Sequence, residues 1–278
     1  MVDSWRKKVN APKISIVIPS YNQGRFIEET LESIWAQDYA NVEVIVMDGG
    51  SSDETVAILE KHSARIHYWE SCADGGQAAA VNKGIMRASG EIIGWINSDD
   101  VYLPGAFRRV AKAFMEKDGP DVVHGDRFLY SEDSVVIGWT SLGRFDPARS
   151  GYVICSEAAF WARRINSVHG LMLDESLRFA MDLEWFSRLY AQGFRFRKLN
   201  AHLGALRLHA ASKSSTIREV GTQEAERFWW RYFGNMNLHV APPQSVFRMA
   251  LALVQNPVTL GVPYVRRKVA RCAGFAQR

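Results

Sequence analysis

The sequence predicts an α/β fold with a mostly parallel, Rossmann-like sheet that carries helices on both faces. Two observations lead to this prediction. The first is a series of short apolar, β-branched runs, such as ISIVI at residues 14–18, which are typical of strands buried on both faces. The second is that segments with helical spacing of apolar residues alternate with these runs along residues 13–130.

The individual elements can be placed in chain order. Apolar runs predict strands at residues 14–18, 42–47, 66–69 and 91–96. Helical spacing predicts helices at residues 27–35, from about 53, at 77–88, from about 104, at 183–192 and at 217–233. Ser51 and Glu54 have the spacing of a capping box for the second helix. Beyond residue 121 the pattern is less regular and predicts a small antiparallel region.

The chain shows no repeat, no low-complexity linker and no sharp boundary. We therefore expect one domain made of two halves, residues 13–130 and residues 131–241. An N-terminal extension at residues 1–12 precedes it, and a basic amphipathic appendage at residues 242–278 follows it.

Composition and cysteine usage indicate the class of protein. The 278 residues are 47% hydrophobic and 23% charged, which is ordinary for a soluble globular chain. Cys72, Cys155 and Cys272 have no paired spacing, so neither a disulfide framework nor a zinc site is predicted. The basic N-terminus lacks the apolar run of a signal peptide, and no apolar run is long enough to span a bilayer. We expect a cytoplasmic protein with no nucleic-acid partner.

The C-terminal appendage has a strong charge bias. No acidic residue follows Glu226, whereas Arg266, Arg267, Lys268 and Arg271 are basic. An amphipathic basic segment of this kind can lie in a membrane interface, which would make the protein peripheral on the inner face of the membrane. A packed or frayed C-terminal helix is the alternative.

Each of the four predicted parallel strands ends in a polar cluster: SYN, DGGSSD, CADGGQ and NSDD. Ligands of open α/β sheets bind beyond the carboxyl ends of the strands, so these clusters should converge on one crevice. Asp99 and Asp100 in the last cluster would repel one another unless a cation or hydrogen-bond donors offset their charge. A Mg²⁺ or Mn²⁺ ion on a nucleotide diphosphate would do so; a helix cap or an Asx turn is the alternative.

Other phosphate-binding sites lack their signatures. The chain has no G-x-G-x-x-G after the first strand and no G-x-x-x-x-G-K-[ST] motif, so dinucleotide and P-loop sites are not predicted.

The motifs PSYN, DGGSSD, N-x-G followed by A-x-G-E, and NSDD occur here in that order. Together they resemble the inverting family-2 glycosyltransferases of GT-A fold, and the resemblance covers about Lys13 to Ser215. It implies that residues 13–130 bind a nucleotide-diphospho-sugar and that residues 131–241 bind the acceptor and catalyse transfer.

The resemblance also implies roles for individual residues on the donor side. The first nucleotide-binding loop corresponds to Pro19, Ser20, Tyr21 and Asn22. Asp48 and Asp53 correspond to the acidic loop that contacts base and ribose, with a helix cap as the alternative for Asp53. Asp99 and Asp100 match the metal-binding D-x-D-type motif, with Asp100 as the direct ligand. Family members that read uracil often carry Asp where this chain has Gly49, so the nucleotide stays open.

On the acceptor side, the segment LDESLRFAMDLEWFSRL implies that Asp182 is the general base, although Met181 stands where Glu is usual. An N-cap of the following helix is the alternative for Asp182. The segment RLHAASKS implies that His209 completes the metal site and that Lys213 neutralises phosphate charge. Both residues also have an ordinary structural interpretation.

The expected function is therefore a metal-dependent, inverting transfer of a sugar from a nucleotide-diphospho-sugar to an acceptor hydroxyl. A lipid-linked glycan in surface polysaccharide biosynthesis is the acceptor class that the resemblance implies. Two rival hypotheses are a sugar-nucleotide pyrophosphorylase and a nucleotide- or glycan-binding module without catalysis.

Overall fold

The computed structural model describes residues 11–140, 154–213 and 218–233. Its strands are β1 (Ile14–Ser20), β2 (Val42–Asp48), β3 (Tyr68–Ser71), β4 (Ile92–Trp95), β5 (Val101–Tyr102), β6 (Val122–Tyr130), β7 (Val136–Thr140), β8 (Ala159–Ala162) and β9 (Phe196–Arg207). Its α-helices are α1 (Gly24–Trp35), α2 (Thr55–Lys61), α3 (Gln77–Arg87), α4 (Ala106–Phe114), α5 (Arg164–Ser167), α6 (Met181–Ala191) and α7 (Arg218–Phe233).

The described strands form one sheet in the order β3-β2-β1-β4-β8-β6-β9-β5, with β7 paired to β6. Strands β3, β2, β1 and β4 are parallel neighbours, and β6 is parallel to β9. Strand β8 is antiparallel to both β4 and β6, while β7 and β5 pair antiparallel with β6 and β9. The predicted mostly parallel sheet with a small antiparallel region is confirmed.

Alternation along β1 shows how the sheet is covered on both faces. Ile14, Ile16 and Ile18 belong to a core with α1, α2 and α4, whereas Val17 belongs to a second core with α3 and α6. Because successive side chains of a strand point to opposite faces, every residue of β1 is buried. Helices therefore lie on both faces of the sheet, as the sequence predicted.

Two local predictions are wrong. The third strand begins at Tyr68, two residues later than expected, because Tyr68 to Ser71 pair with Ile45 to Asp48 of β2. The capping box does not form: the N-cap of α2 is Glu54, and no side chain bonds to the cap. Ser51 lies three residues before that N-cap, and its Oγ instead accepts a hydrogen bond from the N–H of Asn22 at 2.7 Å and donates to Asp48 at 2.6 Å.

The last element among the described residues is α7, which packs against α6. Phe228 of α7 and Ala180 form a buried pair that Phe179, Leu183 and Tyr232 surround. Within the described ranges, no helix is long and apolar enough to cross a membrane. The predicted N-terminal extension lies almost wholly outside the described residues, and the C-terminal appendage lies outside them completely.

Candidate active site

A cleft of about 830 Å³ opens at the carboxyl ends of the parallel strands. All four polar clusters predicted from the sequence reach it, through Tyr21 after β1, Gly49 after β2, Asp74 after β3 and Asp99 after β4. The opposite wall comes from the second half of the chain and includes Asp182. The crevice expected from the strand pattern is therefore present, with residues of both halves in one cavity.

The residues of the first predicted nucleotide-binding loop have two different roles. Pro19, Ser20 and Tyr21 line the cleft, and the Tyr21 side chain is exposed. Asn22 is not among the lining residues and has a positive φ of 52°. Its Oδ1 accepts a hydrogen bond from the backbone N–H of Ser52 at 2.9 Å, and its own N–H donates to Ser51 Oγ at 2.7 Å. Asn22 thus fixes the first loop to the second.

Asp48 and Asp53 are not among the residues that line the cleft: Asp48 is buried and Asp53 is exposed. The buried Asp48 carboxylate accepts hydrogen bonds from the N–H and Oγ of Ser51, from Ser71 Oγ and from the N–H of Gly50. Asp53 accepts from the N–H groups of Gly24 and Thr55, at 2.9 and 3.0 Å. These bonds hold the loops in shape, and contact of Asp48 and Asp53 with a nucleotide stays a prediction.

The loop after β3 contributes residues that the sequence did not single out. Asp74 lines the cleft, and a side chain at Gly49 would lie 3.4 Å from its carboxylate and 3.3 Å from the Tyr21 ring. Gln77 Nε2 donates to Asn97 Oδ1 at 2.6 Å, so this loop is joined to the end of β4. The CADGGQ cluster was a visible signal, but nothing local distinguishes Asp74 from an ordinary turn residue.

Asp99 and Asp100 have different surroundings although they are adjacent. Asp99 lines the cleft, and its Oδ2 lies 2.9 Å from His209 Nε2. Asp100 is fully buried, and its carboxylate accepts hydrogen bonds from the backbone N–H of Arg207 at 2.9 Å and from Asn97 Nδ2 at 3.2 Å. Burial and the neighbouring Asp99 charge raise the pKa of Asp100 well above its ordinary value. This placement does not agree with the expectation that Asp100 is the direct metal ligand.

The buried Arg207 explains why the two aspartates separate. Its Nε donates to the backbone oxygen of Asp99 at 2.8 Å, while its backbone N–H holds the Asp100 carboxylate. Its Nη2 forms an ion pair with Glu29 at 2.7 Å. The turn is therefore fixed with Asp100 inward and Asp99 toward the cleft.

Asp182 lines the opposite wall as the second residue of α6. The helix-cap alternative is met only in part: the N-cap is Ala180, but Asp182 Oδ1 accepts a hydrogen bond from the backbone N–H of Leu183 at 2.8 Å. Burial raises the pKa of Asp182 to about 6, and the charge of Glu157 adds to this shift. Glu157 is itself buried, lines the cleft and pairs with Arg127 Nη1 at 2.8 Å. A carboxylate with a pKa near neutrality can accept a proton at physiological pH.

Lys213 and His209 come from the segment after β9. Lys213 lines the cleft, and its Nζ donates to Gln77 Oε1 at 2.6 Å and to the backbone oxygen of Arg178 at 3.2 Å. His209 is buried behind Asp99, with its ring centroid 4.7 Å from that of Phe26. Lys213 thus connects the two walls of the cleft. His209 holds Asp99 in place through its contact with Oδ2.

Comparison with protein families supplies the deciding observation. Residues 15–185, more than half of the chain, match the model described as glycosyl transferase family 2. The chain belongs to this family. The matched range contains β1 to β4, the Asp99 turn and Asp182.

Curated glycosyltransferases match the chain in part. An uncharacterized glycosyltransferase of Rickettsia prowazekii is 34% identical over 118 residues, covering 42% of this chain and 37% of that protein. The glycosyltransferase GlyG of Streptococcus pneumoniae is 36% identical over 124 residues, covering 43% of this chain and 40% of that protein. The match thus spans well under half the length of either relative.

Solved structures with low sequence identity share the fold. Staphylococcus aureus TarS in complex with UDP-GlcNAc has a TM-score of 0.66 at 19% identity, covering 88% of this chain and 74% of that chain. A mannosyltransferase of Pyrobaculum calidifontis with GDP-Man and Mn²⁺ has a TM-score of 0.60 at 17% identity, covering 97% and 80%. The family-2 fold predicted from the sequence motifs, GT-A, is confirmed.

The side chains of this cleft can be compared with the ligands that a divalent ion requires. Among the described residues, no three His, Cys, Asp or Glu side chains form a preformed metal site. Mg²⁺ and Mn²⁺ need less than that, since they commonly bind one or two carboxylates and take water and substrate phosphates for their other positions. Asp99 meets this requirement because it faces the cleft and has His209 directly behind it.

Proposed function

We propose that this protein transfers a sugar from a nucleotide-diphospho-sugar to an acceptor hydroxyl with inversion at the anomeric carbon. The observation that carries the proposal is that Asp182, with a pKa of about 6, shares one cleft with Asp99 on the opposite wall. A single displacement needs a base for the incoming hydroxyl on one side and stabilisation of the departing diphosphate on the other. The cleft offers both.

Asp182 is the general base in this proposal. As the acceptor oxygen forms a bond to the anomeric carbon, its proton moves to the Asp182 carboxylate. The bond between that carbon and the diphosphate oxygen breaks, and its electron pair leaves with the nucleoside diphosphate. No covalent enzyme intermediate is needed. Asp182 Oδ1 accepts a hydrogen bond from the N–H of Leu183, and the residue lines the cleft, so we assign proton acceptance to its second oxygen, Oδ2.

The leaving side is assigned to Asp99, His209 and Lys213. Asp99 with His209 behind it would hold Mg²⁺ or Mn²⁺, and the bound ion would offset the charge that develops on the departing diphosphate. Lys213 Nζ lies at the cleft and would contribute a positive charge toward the phosphates. Asp100 instead has a structural role, because its carboxylate is buried and hydrogen-bonded to Arg207 and Asn97.

The donor is assigned to the wall formed by the loops after β1, β2 and β3. Tyr21, Gly49 and Asp74 line this wall, so we assign the nucleoside to it. The solved neighbours support a nucleotide sugar as ligand, since TarS was crystallised with UDP-GlcNAc and the Pyrobaculum enzyme with GDP-Man and Mn²⁺. Family membership favours transfer over the rival pyrophosphorylase reaction.

The acceptor is assigned to the side of Asp182, Phe179 and Glu157, which line the opposite wall. A glycan on a lipid carrier remains the acceptor class that we propose, with polysaccharide biosynthesis as its setting. Peripheral membrane contact through residues 242–278 would bring the cleft close to such a carrier.

The test compares D182N with the unmodified protein. UDP-GlcNAc and GDP-mannose are screened with Mn²⁺ by thermal shift, and release of nucleoside diphosphate is then measured with and without a lipid extract. We expect D182N to lose turnover by about 10³-fold, because removal of the general base leaves the hydroxyl protonated. Its donor affinity should stay within about twofold, since Asp182 lies on the acceptor wall.

D133N is the matched control, because Asp133 is an exposed carboxylate in the turn between β6 and β7, outside the cleft lining. It should retain full turnover. Equal turnover of D182N and the unmodified protein would refute Asp182 as the base. Donor binding without any turnover in the unmodified protein would favour the rival binding module.

A further inference from the structure

The start of α6 lacks a cap of its own. The first amide groups of a helix have no partner within the helix, and a side-chain oxygen at the N-cap usually accepts a hydrogen bond from one of them. Here the N-cap is Ala180, which has no such oxygen. The two residues before it, Arg178 and Phe179, also present their backbone N–H groups at this end.

Glu224 of α7 instead accepts hydrogen bonds from the segment that leads into α6. Its Oε1 accepts a hydrogen bond from the N–H of Arg178 at 2.8 Å. Its Oε2 accepts from Phe179 at 3.0 Å and from Ala180 at 2.9 Å. One carboxylate thus binds three consecutive backbone amides from 44 to 46 residues away in sequence. Hydrogen bonds from amides to an ionised carboxylate are stronger than those between neutral groups.

Packing holds Glu224 in this position. Gly221, one turn earlier on α7, lies against the Phe179 ring so closely that a Cβ there would be 2.2 Å from Cδ1. Phe228, one turn later, is buried with Ala180. Glu224 itself is only 8% exposed. The carboxylate is therefore fixed in an environment where water competes little for the three amides.

The amides that Glu224 binds belong to the acceptor wall of the cleft. Phe179, Ala180, Met181 and Asp182 are consecutive residues of that wall, and Gly221 lines it as well. Lys213 donates to the carbonyl oxygen of Arg178, so the same segment is held on its carbonyl side too. The direction of the Asp182 side chain depends on where this segment places the first turn of α6.

We propose that Glu224 is a positioning residue for Asp182: it anchors residues 178–180 so that the first turn of α6 presents the Asp182 carboxylate to the acceptor. This inference rests on the proposed function. Glu224 lies outside residues 15–185, the range that matches the family. The chain thus takes an anchor for its base from a helix that follows the matched segment.

The experiment uses E224A and E224Q in the full chain. E224A removes all three acceptor interactions, and misplacement of a catalytic group by about an ångström can lower turnover by about 100-fold. We expect nucleoside diphosphate release by E224A to fall about 10- to 100-fold, with donor affinity unchanged within about twofold. E224Q keeps one acceptor oxygen, so its turnover should lie between those of E224A and the unmodified protein.

Two control variants separate positioning from general packing of α7. E226A removes an exposed carboxylate from the same helix and should retain full turnover. Y232F removes the 2.7 Å hydrogen bond from Tyr232 to Glu184, a contact between α7 and α6 that does not involve residues 178–180. It should also retain turnover within about twofold. If Y232F and E224A lose turnover equally, the effect belongs to helix packing and the proposal is overturned.

Amide hydrogen exchange gives a readout that does not depend on turnover. Exchange at residues 178–180 should be faster in E224A and E224Q than in E226A. Unchanged exchange in E224A, or unchanged turnover with faster exchange, would overturn the positioning role. Failure of the proposed function looks different, because the unmodified protein would then show no sugar transfer while the exchange difference persists. Should E224A fail to fold, E224Q supplies both measurements.

Discussion

The two walls of the cleft use their carboxylates in different ways. On the wall assigned to the donor, Asp48 at the end of β2 and Asp53 beyond it accept hydrogen bonds from the loops around them, and neither lines the cleft. On the acceptor wall, Asp182 faces the cleft, and the carboxylate that shapes its segment, Glu224, comes from a distant helix. A carboxylate at a strand end is therefore a candidate ligand only if the fold turns it toward the cleft.

The sharpest version of this comparison lies within one turn, between Asp99 and Asp100. D100A would leave the buried N–H of Arg207 and the Asn97 amide without their acceptor, at a cost of about 1–3 kcal/mol for each group. D99A should cost much less stability but lower sugar transfer by at least about 100-fold and abolish the effect of Mn²⁺ on donor affinity.

Thermal unfolding and donor titrations with Mn²⁺ or EDTA check this pair of variants. The opposite pattern, with D100A stable and inactive and D99A active, would restore Asp100 as the direct metal ligand.

A second comparison concerns the stability of the two halves. Each half contains a glycine so closely packed that an added Cβ would meet another atom. A Cβ at Gly84 of α3 would lie 2.4 Å from Val17 Cγ1, a side-chain atom that can shift. A Cβ at Gly204 of β9 would lie 2.1 Å from the backbone oxygen of Glu157, which has little freedom to move. We expect G204A to lower the free energy of unfolding by about 3 kcal/mol and G84A by about 1 kcal/mol.

Urea unfolding measures both values. G138A is the control, because the nearest atom to its Cβ would be 3.4 Å away on the Leu129 side chain, and it should change stability by less than about 0.5 kcal/mol. Equal losses in G84A and G204A would show that backbone and side-chain contacts are equally adaptable in this fold.

The pH dependence of sugar transfer provides the finest test. Burial raises the pKa of Asp182 to about 6, and a general base acts only when ionised. Transfer should therefore be half-maximal near pH 6 and reach its plateau about one pH unit higher, and kcat/KM should fall about tenfold per pH unit well below pH 6. In E157Q this acidic limb should move to lower pH, because the charge of Glu157 raises the pKa of Asp182 and that of Arg127 lowers it.

A pH profile of kcat/KM from pH 4.5 to 8 at saturating Mn²⁺ checks this expectation. An acidic limb that stays in place in E157Q would show that burial alone sets the pKa. A limb that is absent in the unmodified protein would contradict Asp182 as the titrating base.

The sequence predicted a feature correctly where the feature depends on the residues of one segment alone. The run at residues 14–18 predicted β1 because each of its residues is apolar or small and the strand is buried on both faces. Asp182 was recognised from its motif, and it lies in the cleft. The capping box at Ser51 was wrong, since the N-cap of α2 is Glu54 and the Ser51 Oγ accepts from Asn22, a residue that only the fold brings close.

The sequence by itself determined the order of strands and helices, the parallel sheet and the crevice at its carboxyl edge, because these follow from apolar periodicity along the chain. Only the tertiary structure decided which of Asp99 and Asp100 faces that crevice, and that Glu224 anchors the segment before Asp182. The physical reason is that a carboxylate is directed by the donors around it. The donors that decided these cases, the backbone of Arg207 and the amides of residues 178–180, lie more than 40 residues away from the carboxylates they bind.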